Sequence, residues 1–88
     1  MAVLLVTYDL KAPGQDYADF HKVIKSFSWA RLSESSYAID TTLTPQNVYE
    51  QLRSHMDTND NVYVIMLTRP HCGYGPKEVN EWLEKHLP

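Results

Sequence analysis

Met1-Ala2-Val3-Leu4-Leu5-Val6-Thr7-Tyr8 is a short apolar, β-branched and aromatic run that stops on Asp9. Such a run reads as a strand. Alternation puts Val3 and Leu5 on one face and Leu4, Val6 and Tyr8 on the other. A strand that is apolar on both faces is covered on both. In a chain of 88 residues, helices cover one face, and the other is left to an added helix or to a second copy of the chain. Asp9 then lies at the rim of the sheet, near any dimer axis. That makes it the leading candidate for chemistry, against the plainer role of ending a strand and accepting turn hydrogen bonds.

Beyond this strand, residues 10–16 are turn-rich. Asp16 caps a helix in which Tyr17, Phe20, Val23, Ile24 and Phe27 recur at helical spacing while Lys22 and Lys25 face away. A hairpin follows. Trp29-Ala30-Arg31-Leu32 is one strand, Ser33-Glu34-Ser35 the turn, and Ser36-Tyr37-Ala38-Ile39-Asp40 the next strand, with Tyr37 and Ile39 inward. Leu43-Thr44-Pro45 gives the clearest helix start, an N-cap threonine before a proline. Val48, Leu52 and Met56 continue its stripe, and residues 57–61 end it. Residues 62–68 form a last strand, apolar on both faces. A loop with two glycines follows, and Pro76 opens a third helix with Val79, Trp82 and Leu83 on one face.

The order strand, helix, strand, strand, helix, strand predicts an α+β, ferredoxin-like βαββαβ fold. It is expected as a single domain over residues 1–88, with an antiparallel sheet, two helices on one face and an added C-terminal helix. Either that helix folds over the second face or two sheets pack together. A domain this small buries a limited core, which also favours an oligomer. The apolar start has no basic flank and no small-residue cleavage site follows it, so no leader is expected. Nor does any run reach the ~20 apolar residues of a membrane span. The single cysteine, Cys72, excludes an internal disulfide and fits the cytoplasm. A net charge of −3 argues against a surface that grips nucleic acid throughout.

The opening Val3-Leu4-Leu5-Val6-Thr7-Tyr8-Asp9-Leu10, then Arg31, Ser35-Ser36-Tyr37 and Leu43-Thr44-Pro45, resembles the small CRISPR-associated adaptation protein that bridges integrase dimers. Pro76-Lys77-Glu78 and Trp82-Leu83 are similar to those of its compact bacterial relatives, the SinR family. The resemblance implies a homodimer with sheets packed face to face. It also implies an aspartate matching Asp9 that, paired with its twin, holds Mg²⁺ or Mn²⁺ for phosphodiester hydrolysis. The virulence-associated D proteins look like an RNA-cutting branch of the same scaffold. Two departures stand out. The glutamine usual between the arginine and the serine has no counterpart among Leu32, Ser33 and Glu34. The family's C-terminal strand is replaced by the glycine-containing loop and third helix.

Arg31 and Ser35 can steady a phosphate from the hairpin. Arg69 and Lys77 flank the loop before the third helix, whose start favours anions. Asp9 alone is too few ligands for a metal, whereas one from each of two chains meets the usual minimum. Exposed Tyr63 and Tyr74 would suit base stacking. Two functions follow. One is a non-catalytic dimeric interaction or nucleic-acid-scaffold module of a phage-defence or toxin–antitoxin system, with RNA, DNA or a protein as partner. The other is a metal-dependent endonuclease acting through paired Asp9. A metabolic enzyme or small-molecule sensor is more distant, since no cofactor fingerprint is present.

Overall fold

The computed structural model describes residues 2–12 and 17–88. Its elements are β1 (Ala2–Asp9), α1 (Ala18–Lys25), β2 (Ser28–Ser33), β3 (Ser36–Thr41), α2 (Pro45–Arg53), β4 (Asn61–Leu67) and α3 (Lys77–His86). The fold is α+β, with one antiparallel sheet of four strands in the order β2-β3-β1-β4. Among the described residues no helix is long and apolar enough to cross a membrane.

The two faces of β1 are used as its alternation requires. Leu4, Val6 and Tyr8 join Tyr37 and Ile39 of β3 on the inner face, against Phe20 and Ile24 of α1 and Val48 and Leu52 of α2. Leu4, Val6, Phe20, Ile39 and Leu52 are sealed from water. Each side chain so buried stabilises the fold by about 1.5–3 kcal/mol. Helix α2 starts as its sequence dictates: Thr44 Oγ1 accepts from the Asn47 N–H at 3.1 Å, and Pro45 takes the first helical position. Helix α1 is shorter than its periodicity suggests. Phe27 and Met56 lie beyond the ends of α1 and α2, yet both still pack on the inner core. The expected cap at Asp16 lies outside the described residues.

The outer face is where the two expected covers compete, and α3 takes part of it. Val3 and Ala38 pack there with Leu87, flanked by Leu67, Trp82 and Leu83. Trp82 Nε1 donates to Ser28 Oγ at 3.2 Å. His86 Nδ1 lies 2.6 Å from Asp40 Oδ2, and the indole of Trp82 stacks on the imidazole with centroids 4.1 Å apart. Arg69 completes the latch: its Nε donates to Leu87 O at 2.9 Å, its guanidinium reaches Glu84 O, and Nη1 lies 3.2 Å from the Glu84 carboxylate. Helix α3 leaves the other half of that face open, where Tyr63 and Ile65 of β4 stand in solvent beside half-buried Leu5.

Candidate functional site

Strand β1 ends in a polar rim shared with the β2–β3 turn and the start of β4. Asp9 pairs with Asn61 across the ladder. Its carboxylate is 64% exposed and lies 3.5 Å from Lys11 Nζ. The preceding N–H, of Tyr8, donates to Ser35 O at 3.0 Å. The turn is closed by Ser33 Oγ, 2.7 Å from Ser36 Oγ and accepting from Ser35 N–H. Arg31 Nε donates back to Ser33 O at 3.2 Å. Asp9, Ser35 and Arg31 therefore share one end of the sheet. They do not converge. Asp9 alternates with Val3, Leu5 and Thr7 on the outer face, whereas Arg31 pairs with Tyr37, an inner-face residue.

Arg69 is elsewhere, whereas Lys77 lies between Pro76 and Glu78, which line one cleft with Arg31. Arg69 follows Leu67, whose partner is Val3 at the far end of β1, and its guanidinium is spent on the end of α3. Lys77 is exposed at the start of α3. Glu78 in that first turn already answers the helix's positive end. A cleft of about 450 Å³ lies between α3 and β2, lined by Trp29, Arg31, Val79 and Trp82. A carbon added at Gly73 or Gly75 meets nothing within 4 Å, so neither glycine is required by a close approach.

One chain offers a divalent ion a single Asp9 carboxylate beside a lysine ammonium, fewer ligands than Mg²⁺ uses. Among the described residues no group of three or more His, Cys, Asp or Glu is placed to hold a metal. No family model matches this chain, and no similar curated protein or solved structure was found.

Three features lay outside the sequence reading. Asp60, at the turn before β4, accepts from Lys11 N–H and Tyr17 O–H at 2.7 Å each and from Asp57 N–H at 2.8 Å. Burial pushes its carboxyl up, but those hydrogen bonds outweigh it and hold the group below the usual carboxylate range. The Tyr8 hydroxyl lies 2.9 Å from His21 Nε2 and 3.3 Å from Glu34 O. His21 Nδ1 faces the Tyr17 carbonyl at 3.1 Å, an oxygen that can only accept, so that nitrogen carries a proton. Burial, reinforced by Tyr37 and opposed by Arg31, raises the Tyr8 phenol. The third feature is Asp40. It lies at the other end of the sheet from Asp9, opposite Val3, where it holds His86 with Oδ2 while its buried Oδ1 has no hydrogen-bond partner.

Proposed function

We propose that this chain is a non-catalytic interaction module that works as a homodimer. The observation that carries the reading is the half-open outer face. Tyr63 and Ile65 are exposed there beside Leu5, next to a part of the same face that α3 has sealed. A lone chain gains nothing from an apolar strip of this kind, and such strips mark contact surfaces. The dispersal of Asp9, Arg31, Ser35 and Arg69 over both ends and both faces supports binding over turnover. The strand and helix order supports a ferredoxin-like reading of the fold, which by itself assigns no activity. Tyr63 and Tyr74, both exposed, suit a partner with stackable bases, so single-stranded RNA or DNA belongs with proteins among the partners to be tried.

Cleavage by a metal held between two Asp9 carboxylates is the second reading. It is favoured by the exposure of Asp9 on the same face as the apolar strip. One experiment separates the two. The parent and Asp9→Asn are incubated with RNA and DNA in Mg²⁺ or Mn²⁺, and oligomeric state is read by light scattering. The module reading expects a dimer in both and no Asp9-dependent cleavage. Metal-dependent cutting that disappears in Asp9→Asn while the dimer persists would overturn it.

A further inference from the structure

The two rims of the sheet are built differently. Along β2, pairing with another strand is obstructed three ways: Arg31 puts a charge there, the register shifts between Arg31 and Ser33, and α3 is tied to Ser28 through Trp82. Charges, bulges and covering elements are how proteins keep an edge strand from recruiting another. Strand β4 has none of these. Its seven residues carry no charge and no proline. Tyr63, Ile65 and Met66 along it are 66%, 49% and 54% exposed.

The direction of the free backbone groups follows from one hydrogen bond. Tyr8 N–H turns toward β3, to Ser35 O. Hydrogen-bonding directions alternate along a strand, so Thr7, Leu5 and Val3 turn toward β4. Their partners Tyr63, Ile65 and Leu67 turn toward β1. Val62, Val64 and Met66 consequently point their N–H and C=O groups out of the sheet, and among the described residues no other strand or loop meets them.

We propose that a second copy of this chain pairs with that rim, β4 lying antiparallel to its twin about a two-fold axis through Val64. The pairing rests on the homodimer reading and moves its contact to the β4 edge, where Tyr63 and Ile65 of the outer face pack beside those of the second copy while Leu5 stays uncovered. In this register Val64 faces its own counterpart, and Val62 faces Met66 of the partner subunit. These three outward pairs exchange about six hydrogen bonds, two per pair. Between them Tyr63 faces Ile65 of the partner subunit, twice, in the narrow pairs where side chains approach most closely. An aromatic residue opposite a β-branched one is a favourable cross-strand pair. From Val62 to Met66 every position thus meets an apolar partner, and only at the two ends does Leu67 face an asparagine, the partner subunit's Asn61. A strand without charge offers nothing for a charged ligand to read, whereas its own copy matches it over the five central residues, 62–66. The pairing is isologous and closed. It holds the two Asp9 residues roughly 25 Å apart, from strand spacings of ~4.8 Å and a rise of ~3.4 Å per residue.

The test is amide hydrogen exchange by NMR on the full chain through a concentration series, with light scattering on the same samples. As the chain dimerises, the amides of Val62, Val64 and Met66 gain protection on the order of tenfold or more, while those of Tyr63 and Ile65, already bonded to β1, change little. Ile65→Lys, on an exposed position, weakens association on the order of tenfold or more with an unchanged circular dichroism spectrum. If Ile65→Lys fails to fold, the alternating protection pattern in the parent decides alone. A chain that stays monomeric throughout sinks both the pairing and the homodimer reading. A dimer whose Val62, Val64 and Met66 amides keep exchanging at the monomer's rate sinks the pairing only.

Discussion

Asp60 ties three segments together from a single carboxylate: the chain after β1 through Lys11, the entry to α1 through Tyr17, and its own turn through Asp57. Because its folded-state pKa is depressed, its contribution is present above the ordinary carboxylate value of about 4 and is lost as pH falls through the folded pKa. Asp60→Asn is expected to lower the melting temperature near neutrality, with the gap from the parent closing at acid pH, read from thermal scans across pH. The Tyr17 phenol runs the other way. Burial, then its hydrogen bond to Asp60, raises its pKa, so its contribution holds below about pH 10 and is lost as pH rises through the folded value. Tyr8→Phe removes the hydroxyl that meets His21 Nε2 and is expected to cost about 1 kcal/mol in chemical denaturation. Legibility at this scale depended on distance along the chain. Thr44 and Pro45 announce α2 because a cap acts within one turn. Apart from Asp57 in its own turn, the partners of Asp60 lie 49 and 43 residues away, and no local pattern points to them.

Helix α3 is held more by its end than by its length. None of its own residues is fully buried, and Leu87 just beyond it is the anchor. Its apolar face of Val79, Trp82 and Leu83 is plain from periodicity. Which face of the sheet it would meet, and how far it would reach, depended on the Asp40–His86 contact across 46 residues. That pairing makes a specific energetic prediction. Asp40→Ala leaves His86 without its acceptor and is expected to cost about 1–3 kcal/mol. His86→Ala leaves a part-buried carboxylate alone and costs at least as much. In a double-mutant cycle the double variant should lose less than the sum of the two single losses, read from denaturant unfolding. Leu87→Ala should loosen the helix end, at about 2 kcal/mol, the low end for a buried leucine.

For the whole molecule, the apolar character of β1 and β4 on both sides showed that a helical layer on one face would not be enough. It did not say how the remainder would be divided, because the area α3 covers depends on where Arg69 and Asp40 catch it. The inner core is expected to dominate stability: Phe20→Ala should cost about 3–5 kcal/mol, well above any change on the polar rim. Charge plays little part in the contact surface described here, so the dimer should persist as salt is raised. A nucleic-acid complex resting on lysine and arginine would weaken steeply instead, and sedimentation across a salt series distinguishes them.

The kinked and shielded β2 strand carries one further consequence. Two chains joined along their bare margins would present only blunted margins to the outside, so no third could join edge to edge. Growth of the sheet by added strands would halt at a pair, and ribbon-like polymers should be absent even in concentrated solution.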